Sequence, residues 1–217
     1  MAGAPEAQAA LEEQADGHTV GTSAPTGSKC TASSAYALKW GKFQGYWKFN
    51  SGGAPSGALD AIKRAAATIA DGTSTTCGNR QNGAVQEYRG AISTYAGISA
   101  TGSCTGLSFQ NEVSFGPVDG SVLAWACTYS DFTGLIHEAD IKFDNTSRTW
   151  HTATSGCSGS KYDLQGVATH EFGHAFGLEH SAQSSGQVMA PTTGTCNTSQ
   201  RQLGRGDQEG LRNKYGS

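Results

Sequence analysis

The sequence carries little charge: 15% of its 217 residues are Asp, Glu, Lys or Arg, and the formal net charge is -3. It has no block of Lys and Arg, so nucleic acid and anionic membrane surfaces are excluded as expected partners. Long apolar runs are missing as well. No stretch approaches the roughly 18 apolar residues of a membrane-spanning helix. The amino terminus also lacks the basic and then hydrophobic regions of an export signal. If the chain is exported, its signal has been removed and Met1 is an added start. There is no Cys-x-x-Cys pair, which removes the usual thiolate zinc site.

What is abundant is glycine, 30 residues of it, together with Ser and Thr, which is the composition of a loop-rich, secreted style of protein. Six scattered cysteines (Cys30, Cys77, Cys104, Cys127, Cys157, Cys196) fit three disulfides made in an oxidising compartment. Sequence does not choose among the possible pairings. The pairing expected from the order of elements below is Cys77 with Cys104, Cys127 with Cys157, and Cys30 with Cys196.

Length suits one medium domain. Residues 1–29 begin with an Ala/Glu stretch that offers almost no apolar face and continue into Gly, Ser, Thr and Pro. They are expected to be a poorly ordered extension or the remnant of a propeptide, with residues 30–217 forming the folded domain. Tyr36 to Trp40 and Gly45 to Phe49 read as the first strands. Leu59, Ile62, Ala66 and Ile69 recur at helical spacing and predict a helix that stops at Asp71-Gly72. Residues 72–106 contain one strand-like run, Ala84 to Ile92, and are otherwise unplaced. Strand signals follow at Asn111 to Phe115, Ser121 to Tyr129 and Ile136 to Asp144. Strands, a helix, more strands and a late helix give an α+β (mixed α/β) sheet with helices on one side.

The chemistry is concentrated in His170-Glu171-Phe172-Gly173-His174-Ala175-Phe176-Gly177-Leu178-Glu179-His180. On a helix, His170 and His174 share one face and can close on one ion, for which zinc is the natural occupant. Glu171 lies beside the pair, placed as a general base toward a water at that ion. Gly177 lets the chain leave the helix and bring back His180 as a third ligand. Three protein ligands leave one position open, the mark of catalytic rather than structural zinc. A chance match to the five fixed positions is on the order of 10⁻⁵ for this composition. Asp163 is the expected N-cap, with Leu164, Val167, Ala168, Phe172 and Ala175 as packing. His18, His137 and His151 have no metal spacing and are expected to be surface or core histidines.

This motif resembles the long signature of the metzincin clan of zinc peptidases. Val188-Met189-Ala190-Pro191 stands where that clan has its methionine turn. Ser181 after the third His and Pro191 after the Met are similar to the matrixins, the matrix-metalloproteinase family. Pro191 also takes the place of the Tyr that astacin-like and serralysin-like members carry. Ser181-Ala182-Gln183 differs from the cysteine ligands of archaemetzincin aminopeptidases. Leu123-Ala124-Trp125-Ala126 resembles the edge strand on which matrixins hold substrate, although an ordinary strand accounts for it equally well. The stretch Leu203 to Gly216 resembles their C-terminal helix through Asp207, Gly210, Tyr215 and Gly216.

The resemblance implies a zincin fold with a twisted, mostly parallel sheet, an antiparallel edge strand, two long helices and a C-terminal helix. It divides the domain into an upper part, 30–179, and a lower part, 180–217. It implies a monomeric, secreted zinc endopeptidase acting on protein or peptide substrates. One catalytic zinc would sit on His170, His174 and His180, with Glu171 as base and Met189 as an apolar floor. The substrate would lie along Leu123, Ala124 and Ala126. A pocket for the residue after the cleaved bond would be lined by Val167, His170, Pro191, Thr192 and Thr193. Trp125 and Lys142 stand where the family has histidines of a second, structural zinc, so that zinc is not expected. Asp140 and Asp144 match family calcium positions, although carboxylates at strand ends are more often simply solvated. Cys30 lacks the flanking residues of the family's propeptide cysteine and is expected in a disulfide. The competing function is a catalytically silent, zinc-containing binding module, against which the intact Glu171 argues.

Overall fold

Strong apolar patterning builds a layered structure in which helices cover one face of a twisted sheet. The computed structural model describes residues 12–21, 28–31, 43 and 45–216. In chain order its elements are β1 (Glu12–Val20), β2 (Tyr46–Phe49), α1 (Ala58–Asp71), β3 (Glu87–Ala91), β4 (Glu112–Gly116), β5 (Val122–Ser130), β6 (Ile136–Asp144), β7 (Trp150–His151), β8 (Tyr162–Asp163), α2 (Leu164–Ala175), β9 (Thr192–Thr193) and α3 (Arg205–Tyr215). No described helix is long and apolar enough to cross a membrane.

The main sheet has the order β3-β2-β4-β6-β5-β1-β9. β2, β3, β4 and β6 pair in parallel, as expected where a helix connects neighbouring strands. β5 runs antiparallel to β6. Behind the sheet, α1 turns Ala58, Ala61, Ile62, Ala65, Ala66 and Ile69 inward against α2, whose twelve residues are all buried. Trp47 stacks its edge on Phe172 at 5.5 Å, and Phe43 does the same with Phe176 at 5.2 Å. Each such side chain contributes about 1.5–3 kcal/mol by leaving water.

Expectations change at the amino-terminal segment, at the edge of β5 and in the disulfides. Within residues 1–29, expected to be poorly ordered, positions 12–20 form a full strand of the sheet. The segment has little apolar alternation of its own, and its pairing partners define it as a strand. β1 pairs antiparallel with β5 from Glu12↔Ser130 to Thr19↔Val122. β5 is therefore antiparallel as expected, but its outer edge is taken up by β1. The strand read at Tyr36 to Trp40 lies outside the described residues.

The disulfides are Cys30–Cys77, Cys104–Cys127 and Cys157–Cys196, with Cα separations of 5.1, 5.9 and 5.4 Å. None matches the expected pairing. The reason lies in residues 72–106, which had no legible path. Their loop folds back onto β5 and β6, where Gly97 N donates to Asp140 at 2.6 Å and Lys142 Nζ donates to Ile98 O at 2.8 Å. This brings Cys104 onto Cys127. Cys196 N donates to Lys161 O at 2.7 Å, which sets that cysteine beside the loop of Cys157.

Candidate metal centre and the strand across it

Asp163 caps α2, accepting from Gly166 N at 2.8 Å, as the sequence predicts. Arg201 holds the same carboxylate with Nε at 2.8 Å and with Nη2. It also donates to the carbonyls of Ala153 and Thr154. The helix start is thereby clamped to the segment before α3.

About two turns on, His170 Nδ1 donates to Val188 O and His174 Nδ1 donates to Leu178 O, each at 2.9 Å. A carbonyl can only accept, so these contacts place the protons on Nδ1 and leave Nε2 as bare lone pairs. Gly177, with φ +84, turns the chain so that His180 joins them. The three Nε2 atoms lie 3.0, 3.1 and 3.2 Å apart. Lone pairs this close repel unless a cation sits among them. An ion about 2.0–2.1 Å from each in tetrahedral geometry needs a spacing of about 3.3 Å. The donor set therefore fits zinc, and these residues are one of two groups among those described that could hold a metal. Burial, and then the neighbouring imidazoles, hold His170 and His174 well below the usual histidine range, so both are neutral as ligands must be.

Glu171 is fully buried, and neither carboxylate oxygen has a hydrogen-bond partner among the described residues. Burial, with the charge of Asp16 second, raises its pKa well above the ordinary glutamate value. A buried carboxyl left without a donor is costly unless a ligand or water uses it.

Beneath the histidines, the Met189 turn is held from two sides. Asp207 accepts from Val188 N at 2.9 Å, Met189 N at 3.4 Å and Gly204 N at 2.6 Å. Gln200 Nε2 donates to Val188 O at 2.9 Å and Ala190 O at 3.0 Å. Gly173 is required where α2 crosses this turn, because a Cβ there would overlap the Met189 sulfur. Gly173→Ala is expected to cost about 1–3 kcal/mol by overpacking. It should also weaken zinc retention, and equilibrium denaturation combined with metal analysis checks both.

Beside the histidines the structure places residues that sequence spacing did not reveal. Val167, His170 and Thr193 are buried, and His18 lies against His170 and the backbone of Thr192. This histidine, expected to be surface or core, is wholly buried. Its ring stacks on His170 at a centroid distance of 4.0 Å and an interplanar angle of 16°, and Gln200 Nε2 is 3.5 Å from its Nε2. Asp16 Oδ2 is 3.9 Å from His174 Nδ1. His18, Asp16 and Gln200 were missed because they come to the site through strand pairing and a loop, not through any local motif. Leu123, Ala124 and Ala126 are buried on β5, with Ala124 opposite His18.

Asp140 and Asp144 stand at separate positions along β6. Asp140 accepts from Gly97 N and Glu112 N, and Asp144 accepts from the backbone and hydroxyl groups of Thr146 and Ser147. Neither belongs to a described metal-holding group. His137 pairs with Asp131 at 2.7 Å, and His151 lies in β7.

Residues 107–216 match the family described as Matrixin, peptidase M10. Human (Homo sapiens) matrix metalloproteinase-20 is 35% identical over 112 residues, which cover 51% of this chain and 21% of that protein. The match thus spans well under two thirds of the relative. The family match contains the histidine helix, the methionine turn and α3, the same segments whose geometry is described above. The chain belongs to the matrixin family of metallopeptidases.

Proposed function

We propose that this protein is a secreted zinc endopeptidase that hydrolyses internal peptide bonds of protein substrates. The observation that carries this reading is the convergence of three Nε2 atoms beside a buried Glu171 carboxyl without a hydrogen-bond partner among the described residues. His170, His174 and His180 would hold the zinc, which when bound supplies a Lewis acid that brings the pKa of water to about 7 and polarises a carbonyl. Glu171 removes a proton from the attacking water and returns it to the leaving amine, a role favoured by its raised pKa. The carbonyls of Val188 and Leu178 fix the tautomers of His170 and His174 and so keep both Nε2 atoms available. Met189 forms an apolar floor that excludes water from below. A substrate lies as an extended strand against β5, beside Leu123, Ala124 and Ala126, with the side chain after the cleaved bond between His170 and Thr192-Thr193. Three disulfides support an oxidising, extracellular setting.

The test is hydrolysis of casein and of a terminally blocked peptide, with metal content measured on the same sample. One tightly held zinc per chain and internal cleavage abolished by a chelator are expected. Folded protein without a divalent ion, or cleavage indifferent to chelation, would sink the assignment.

A further inference from the structure

β1 does more than complete a sheet. It runs antiparallel to β5 and at its far end parallel to β9, so it threads the space between the two walls that flank the histidines. Its backbone is held on both sides. Thr19 N donates to Pro191 O at 2.9 Å, Gly21 N to Thr193 O at 2.8 Å, and Val20 N to Ser121 O at 2.7 Å. Alternation in a strand sends residues 16 and 18 to the same face. Asp16 accordingly reaches toward His174, while the His18 ring lies flat on His170. His18, His170 and Glu171 form the second group of side chains whose ligand atoms converge. The backbone from Asp16 to His18 therefore passes the histidines, with the Asp16 carboxylate near His174 at one end and the His18 ring on His170 at the other. At Gly17 itself no side chain could be accommodated, since a Cβ would overlap the Trp125 ring.

Resting on the peptidase reading above, we infer that residues 12–21 are the enzyme's own first substrate, bound in its cleft in cleavable register, and that the Gly17–His18 bond is the one cut. Until that cut the strand excludes other substrates, because it uses the same β5 edge and the same pocket. In the reaction water oxygen bonds to the Gly17 carbonyl carbon and the C–N bond to His18 breaks. Both water protons end on the His18 nitrogen, the first carried by Glu171. The products are a peptide ending in the Gly17 carboxylate and a chain beginning with the His18 ammonium.

The test follows the intact mass and the amino-terminal sequence of the full zinc-loaded chain beside Glu171→Ala. The wild type should lose residues 1–17 with first-order kinetics at any protein concentration and start at His18, while Glu171→Ala stays whole. A chain that digests casein yet keeps the Gly17–His18 bond overturns this inference and leaves the peptidase reading standing. A chain that cuts neither itself nor casein overturns both. A readout independent of turnover is amide exchange of residues 123–130 in Glu171→Ala. Adding Thr19→Pro, which removes the donor to Pro191, or Gly17→Val should speed that exchange about tenfold by displacing β1. Unchanged protection in both double variants would show that the strand does not cover β5 and would overturn the inference.

Discussion

Glu171→Ala is expected to retain one zinc per chain while its kcat for a blocked peptide falls about 10²–10⁴-fold, the range a positioned general base supplies. The expectation follows from placement. The three ligand nitrogens come from His170, His174 and His180, so deleting the Glu171 side chain removes no donor from the ion. Truncation also relieves the burial of a carboxyl that has no hydrogen-bond partner among the described residues, so folding stability should rise or stay level. A residue needed for the fold would behave the opposite way. With residues 1–17 absent from both proteins, KM should change little, because β5 and the residues beside Thr192 are untouched. Turnover close to that of the wild type, measured on protein shown to contain zinc, would refute the assigned base.

Arg201→Ala should produce the largest loss of stability outside the core, about 3–5 kcal/mol, because it strips the partner from a buried carboxylate. The Asp163 side chain is 1% exposed and that of Arg201 is 12% exposed, so solvent cannot substitute for the missing guanidinium. Two carbonyls, of Ala153 and Thr154, lose their donors in the same step. At about 2–4 °C per kcal/mol for a chain of this size, Tm should fall by roughly 6–20 °C. Asp163 also caps the helix that carries His170 and His174, so zinc affinity should drop along with Tm. A double variant with Asp163→Asn should recover part of the loss, since a neutral cap needs no counter-charge. A fall of less than about 1 kcal/mol on denaturation would mean that the pair behaves as a surface ion pair.

What could be read in advance follows from how each feature is encoded. The convergence of the three histidines was legible because they are local: His170 and His174 share a helix face, and Gly177 marks the turn that returns His180. The helices were legible for the same reason, their apolar spacing and the Asp163 cap lying within one segment. β1 was not legible, because Glu12 to Val20 has little apolar alternation and is a strand only through its bonds to β5 and β9. The disulfides failed for a related reason. Cys104 meets Cys127 only after a glycine-rich loop without periodicity has folded over the sheet. Gln200 and Asp207, which hold the methionine turn, are ordinary polar residues until the chain brings them beneath it.

The Cys30–Cys77 bond fastens the chain to the domain only a short stretch after Gly21. Whatever precedes that anchor is a leashed ligand, whose local concentration at the cleft is on the order of millimolar however dilute the protein. A freshly made end at His18 would therefore rebind in competition with incoming substrate. Reducing that one bridge would lengthen the leash and lower the local concentration, so the bridge sets how readily the groove stands open.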